Sequence, residues 1–323
     1  MYRGRRLRKS ESIRKLVRET IVSPHDFIYP LFLEEGLSGK AEIQSMPDVY
    51  RYGLDALEEV VASLKEAGVV SVILFGIPKN KDACGSSAYV DDGIVQKGIQ
   101  TLKALDPSLY VIADVCMCEY TDHGHCGILN AYGDVENDET LPYLSKIALS
   151  YAKAGVDMIA PSDMMDGHIA SLRKTLDEHG YYQLPIMAYS AKYASSFYGP
   201  FREAADSAPS FGNRKTYQMD IANSKEALRE ITADIEEGAD IIMVKPAMAY
   251  LDIIKEASMQ YSYPICAYQV SGEYSMLKMA VQQGLMQYDV IYESLLAIKR
   301  AGATMIITYF ALEMAAYCRK RDI

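Results

Sequence analysis

Short apolar runs recur along the chain, bounded by glycine, proline or polar turns and separated by stretches of helical spacing. The first is Phe27-Ile28-Tyr29-Pro30-Leu31-Phe32-Leu33, built largely from the aromatic and branched side chains that suit strands. Leu54, Leu57, Val60, Val61 and Leu64 then share one face of a helix over 54–67, which Gly68 ends. The alternation predicts further strands over 70–76, 110–115, 157–161, 184–190, 241–244, 264–270 and 304–309. Between them the spacing predicts helices over 93–105, 140–153, 168–179, 224–237, 251–260, 276–283 and 290–300.

These strands are apolar on both faces, which suits a parallel sheet covered by helices. Eight such units in 323 residues predict an α/β fold of the (β/α)8 TIM-barrel type over 26–323, preceded by an extended N-terminal arm over 1–25. A dinucleotide-binding sheet is disfavoured, because no G-x-G-x-x-G follows the first strand. A barrel makes a positional demand: active residues belong at the C-terminal ends of strands and in the loops just after them. Asp114, Cys116, Ser162, Asp163, Lys192, Lys245, Ser271 and Tyr309 all fall there.

Composition narrows the function classes. Half of the residues are hydrophobic, so a large core is available and global disorder is excluded. No apolar run approaches the roughly 20 residues that span a bilayer. A net charge of -10 argues against general nucleic-acid binding. The basic start, Arg3-Gly4-Arg5-Arg6-Leu7-Arg8-Lys9, reads as a solvated arm. With no apolar signal core at the N-terminus, the expected compartment is the cytoplasm, where six cysteines serve as thiols or metal ligands rather than disulfides.

The densest ligand cluster is Asp114-Val115-Cys116-Met117-Cys118-Glu119-Tyr120-Thr121-Asp122-His123-Gly124-His125-Cys126. Thiolates select zinc among common cellular metals, and three protein ligands leave the open position of a catalytic site. A structural site closed by His123 or His125 is the alternative on spacing alone.

Two lysines, Lys192 and Lys245, end neighbouring strands, and Pro246 stops the second. Two ammonium groups in one desolvated pocket disfavour each other's charge, so at least one should be a neutral amine able to attack a ketone. The bland alternative is a pair of unrelated rim lysines held in ion pairs. Between them the stretch from Tyr198 to Arg214 is rich in Gly, Pro and Ser, without periodicity, and reads as a lid. Its Arg202 and Arg214 suit carboxylate capture through a guanidinium fork. The residues alone thus point to a keto-acid substrate, an imine intermediate and a metal ion.

The cysteine loop, Met187-Ala188-Tyr189-Ser190-Ala191-Lys192-Tyr193-Ala194-Ser195, Phe197-Tyr198-Gly199-Pro200-Phe201-Arg202, the 238–250 stretch and Tyr268-Gln269-Val270-Ser271-Gly272-Glu273-Tyr274 resemble the porphobilinogen synthase (5-aminolevulinate dehydratase) family. The resemblance covers nearly the whole chain. It implies condensation of two 5-aminolevulinate molecules to porphobilinogen with loss of two waters, early in tetrapyrrole (heme) synthesis. It further implies that Lys245 binds the substrate supplying the propionyl side and that Lys192 forms the second imine. By the same resemblance Ser271 and Tyr309 hold the first carboxylate, and Arg202, Arg214 and Gln218 the second. Cys116, Cys118 and Cys126 are the implied catalytic zinc ligands, with Asp114 beside them and Ser162 at the substrate. Glu230 matches a stimulatory magnesium ligand, and the arm is implied to embrace a neighbour in a homo-octamer. Two rivals stand against this. Another Schiff-base barrel lyase of the aldolase type accounts for one lysine but not two. A zinc-binding regulatory or storage protein predicts metal binding without imine formation.

Overall fold

The computed structural model describes residues 1–320. Its strands are β1 (Phe27–Glu34), β2 (Lys40–Glu42), β3 (Tyr50–Tyr52), β4 (Ser71–Ile77), β5 (Tyr110–Val115), β6 (Met158–Pro161), β7 (Met187–Lys192), β8 (Ile241–Lys245), β9 (Ile265–Gln269) and β10 (Met305–Thr308). Eight of them run in the order β6-β5-β4-β1-β10-β9-β8-β7, every adjacent pair parallel. A bridge between Ile159 and Ile186 brings β6 against the entry to β7 and closes the barrel. β4 and β8 are buried along their whole length, as strands with helices outside and side chains inside must be.

Left-handed glycines end the helices that feed β6 and β8: Gly155 at φ +92° and Gly238 at φ +109°. A side chain at those positions would be strained, which is why these turns read as glycine in the sequence.

The structure departs from the sequence-based expectations in several places. β7 was expected over 184–190 with Lys192 beyond it; it starts at Met187 and includes Lys192 as its last residue. Pro185 has no N–H for a ladder, which delays the start. The helix expected over 276–283 begins five residues earlier, at Ser271. Glu273 causes this: its carboxylate accepts the Val270 N–H at 3.0 Å, and also that of Met248 at 2.7 Å. Ser271 therefore opens a helix rather than sitting in a loop. Elements without a counterpart in the pattern include both strands of the β2–β3 hairpin, a short helix over Gly199–Ala204 inside the expected lid, the helix Ala311–Lys320 and, in the arm expected to be extended, the helix Glu11–Leu16. Within 1–25, the turns Gly4–Arg8 and Glu11–Leu16 bury none of their residues.

Candidate active site

β7 and β8 place both lysines at one end of the barrel. Lys192 and Lys245 are register partners, and partners in a parallel ladder face the same side. A one-residue shift between Ala188 and Ala191 makes this possible. Without that bulge Lys192 would pair one position off and turn away, since side chains alternate across a strand. Both lysines are buried, 4% and 6% exposed, so neither is a solvated rim lysine.

Their surroundings differ. The Lys245 Nζ sits among four rings: Tyr268 at 4.5 Å, Phe201 at 5.0 Å, Tyr189 at 5.1 Å and Tyr198 at 5.2 Å. Burial in this enclosure, reinforced by the Lys192 charge, brings the amine down to about 7. Lys192 donates to the Ser162 carbonyl. Burial pushes its amine down as well, but the sulfurs of Cys126, Cys116 and Cys118 outweigh that and hold it above the ordinary lysine value.

Asp114, near the end of β5, accepts from the Ser162 hydroxyl at 2.9 Å through Oδ2. Burial, then the Glu119 carboxylate, raises it to about 7, against the pull of both lysines. A carboxyl group balanced there can either give or take a proton at neutral pH.

The loop after β5 brings the three cysteines together. Their sulfurs lie within 4.8 Å of one another, fully buried, with Cys116 and Cys118 3.4 Å apart. Hydrogen bonds from Cys116 and Cys118, then the charges of Arg214 and Lys192, draw Cys126 well below the usual thiol value. The two histidines are engaged elsewhere: His123 Nε2 lies 3.3 Å from the Ala83 carbonyl, and His125 contacts the Tyr217 hydroxyl at 3.2 Å and the Phe211 carbonyl at 3.1 Å. The donor set that fits a metal is therefore the three cysteine sulfurs, with Glu119 Oε2 3.3 Å from Cys118 Sγ.

The lid lies over these groups. Phe201 of the helix Gly199–Ala204 packs edge-on to Phe75 at 5.2 Å, and its N–H donates to Ser271 Oγ at 2.9 Å. Arg51 Nε holds the Ala204 carbonyl at 2.8 Å, and Lys81 meets Asp206 at 2.7 Å. Arg214 donates to the Gly124 carbonyl at 2.9 Å and to that of Ser207 at 2.5 Å, tying lid to cysteine loop. Tyr309, just past β10, shares a hydrogen bond of 3.0 Å with Tyr268 and so adjoins the Lys245 enclosure.

Buried polar atoms without a partner gather here: Asp114 Oδ1, the Tyr189 hydroxyl, Arg202 Nε, Arg214 Nε and both amide atoms of Gln218. Leaving such groups unpaired costs free energy, so their concentration marks a place built to receive a polar ligand. Glu230 stands apart. It lines a cavity of about 560 Å³ together with Asp134, Asp166, Glu226 and Gln218. Burial, then Asp166 and Asp234, raises its carboxyl.

Sequence reasoning passed over the aromatic walls of the Lys245 enclosure. Tyr189 and Tyr268 were visible as buried strand residues, and their positions beside the lysines on β7 and β9 were the available signal. Phe201 and Tyr198 come from the lid, and nothing local announces their contact with Lys245.

A family profile described as delta-aminolevulinic acid dehydratase matches residues 1–317. The chain belongs to the delta-aminolevulinic acid dehydratase family. A Bacillus subtilis dehydratase is 53% identical over 316 residues, covering 98% of this chain and 97% of that relative. A Methanothermus sociabilis dehydratase is 55% identical over 312 residues, covering 97% of each. The solved Toxoplasma gondii dehydratase, in complex with the reaction product porphobilinogen, superposes with a TM-score of 0.97 at 41% identity, covering 99% of this chain and 92% of that one. An aldolase, QR15, superposes with a TM-score of 0.51 at 13% identity, a likeness of fold alone. As a dehydratase of this family, the chain acts in tetrapyrrole synthesis, with 5-aminolevulinate as the family's substrate. No helix among the described residues is long and apolar enough to cross a membrane.

Proposed function

We propose that this barrel condenses two molecules of 5-aminolevulinate to porphobilinogen through imines on both lysines. The observation that carries the reading is the register pairing of Lys192 with Lys245 at the buried mouth, beside three cysteine sulfurs. Lys245, the amine brought down to about 7, attacks the ketone of the first substrate and releases water as the imine forms. Ser271 and Tyr309, next to the Phe201 and Tyr268 walls, hold that substrate's carboxylate. Lys192 forms the second imine under the lid, where Arg202, Arg214 and Gln218 offer unpaired donors to the second carboxylate. Asp114, oriented by Ser162, moves protons between the two halves.

Cys116, Cys118 and Cys126 would hold zinc, the metal that three buried thiolates favour, and zinc would supply Lewis acidity and an open position for the second substrate's amine. Glu230, among carboxylates that a divalent cation would relieve of mutual repulsion, would hold a stimulatory, allosteric magnesium. The thiols are free, as a reducing compartment such as the cytoplasm would keep them. Residues 1–25, whose helical turns bury nothing of their own, would form an arm reaching a neighbour in a homo-octamer, a mass that light scattering reads directly.

The test is porphobilinogen formation from 5-aminolevulinate, followed with an aldehyde colour reagent before and after chelation. Colour that vanishes with the chelator and returns with zinc is expected. Magnesium should then raise the rate of the native chain but not of Glu230→Gln. Colour indifferent to complete zinc removal would demote the cysteine loop to a dispensable role. No colour from folded, zinc-loaded protein would overturn the reading.

A further inference from the structure

A second cluster of titratable side chains lies next to the Lys192 side of the mouth. His168 opens the helix His168–Glu178 and is 3% exposed, between Asp163 at 0% and Asp234 at 8%. Its Nδ1 lies 3.0 and 2.9 Å from the two oxygens of Asp163, and its Nε2 lies 3.6 Å from Asp234 Oδ1. A carboxylate only accepts, so Nδ1 carries a proton. Burial pushes the imidazole toward its neutral form, but Asp163 and then Asp234 outweigh it and hold the ring well above its ordinary value.

The loop that this ring anchors is strained. Met164 has φ +69°, a left-handed conformation uncommon for a residue with a side chain. Such a conformation persists where its surroundings hold it on both sides. On one side, Asp163 Oδ1 also accepts the Met165 N–H at 2.8 Å. On the other, the Ser162 N–H donates to the Val115 carbonyl at 3.0 Å, and the Ser162 hydroxyl reaches Asp114 at 2.9 Å. The Ser162 carbonyl, which accepts from Lys192 Nζ, belongs to the peptide that joins Ser162 to Asp163. One peptide unit thus has a lysine amine on its oxygen and, on its next side chain, a clamp closed by His168.

We propose that His168 is a positioning residue for the second lysine: held between Asp163 and Asp234, it fixes the Ser162–Asp163 peptide and thereby sets the place of the Lys192 amine. This rests on the two-imine reading above. His168 touches neither substrate in that reading and acts through Asp163 and Ser162. Lys245 is enclosed instead by rings from β7, β9 and the lid.

Borohydride trapping of each lysine tests it. The protein is mixed briefly with 5-aminolevulinate, reduced and digested, and adducts at Lys192 and Lys245 are measured by mass spectrometry. In His168→Gln the Lys192 adduct should fall about tenfold, the scale expected of a misplaced reacting group, while the Lys245 adduct stays at the native level. His168→Arg, which restores a charged donor, should recover most of the Lys192 adduct. General loss of structure would lower both adducts together. A native Lys192 adduct in folded His168→Gln would overturn the proposal. Should that variant not fold, Asp234→Asn keeps the Asp163 contact and removes one charge. It should lower the Lys192 adduct about threefold, and an unchanged adduct there overturns the proposal equally. A native enzyme that traps at Lys245 but never at Lys192 would overturn the two-imine reading itself, and the proposal with it.

Discussion

Lys192 and Lys245 are the same residue type at the same level of one barrel, one hydrogen-bonded strand apart, and they share the Tyr189 ring, 5.7 and 5.1 Å from their amines, yet the rest of their surroundings differ. Lys245 has four aromatic rings within 5.2 Å of its amine and comes down to about 7. Lys192 faces a backbone carbonyl and the cysteine sulfurs, which keep it charged despite full burial. Desolvation acts on both; what separates them is the sign of the charges left nearby. The sequence argument that two buried lysines lower one another therefore holds for Lys245 and is reversed for Lys192. A neutral amine is the nucleophile for imine formation, so in the two-imine proposal this asymmetry favours Lys245 as the amine that takes the first substrate. A cation held by the three sulfurs would cancel much of their pull on Lys192 and bring its amine closer to use, which would link metal loading to the proposed second imine.

The largest test removes each lysine in turn. Lys245→Met and Lys192→Met should each lower porphobilinogen formation by more than about a thousandfold, because no other amine replaces either. They should differ in trapping: Lys192→Met still captures substrate at Lys245, whereas Lys245→Met captures little at neutral pH. Equal capture in both variants would abolish the asymmetry.

A smaller effect is expected from Cys126→Ser. Bound zinc, measured by elemental analysis, should drop, and turnover should fall about a hundredfold, with first-substrate trapping at Lys245 intact. Loss of the Lys245 adduct in that variant would show that the cysteine loop supports both halves of the site.

The finest test is pH. Imine formation at Lys245, followed in a single turnover, should rise as pH passes through about 7 and level off above it, because deprotonation creates the nucleophile. Phe201→Gln opens one wall to water and should move that midpoint upward, lowering the rate at neutral pH about tenfold for each unit moved. The same shift bears on stability. The unfolded chain binds a proton at this lysine up to its ordinary value of 10.5 while the folded chain releases it near 7. Stability therefore rises with pH between those values, and the penalty is full below about 7. Lys245→Met should accordingly melt a few degrees higher at pH 6, with the gain fading toward pH 10.

Much of this was readable from residues in order. Alternating apolar strands and one-faced helices, with Gly155 and Gly238 at the turns, specify a barrel, because parallel strands buried on both faces have few other arrangements. The cysteine loop is local in the chain, so its ligand types and spacing could be read directly. The lysines could be placed at strand ends, but not in register. The one-residue bulge between Ala188 and Ala191 that aligns Lys192 with Lys245 has no local signature, since Tyr189 and Ser190 read as ordinary strand. The start of the helix at Ser271 also escaped the pattern, because Glu273 caps it while serving backbone donors from the β8 loop, more than twenty residues away.

Taken by itself, the sequence determined the architecture, the end of the barrel where the candidate groups gather and the kinds of groups found there. Those properties depend on periodicity and residue type, which are local. Tertiary structure alone decided which amine is brought down toward neutrality, which side chains wall it, that His123 and His125 stay out of the cysteine cluster, and that His168 closes a clamp behind Lys192. Charge states in a buried site depend on desolvation and on neighbours brought from distant strands and the lid, and those distances exist only once the barrel has closed.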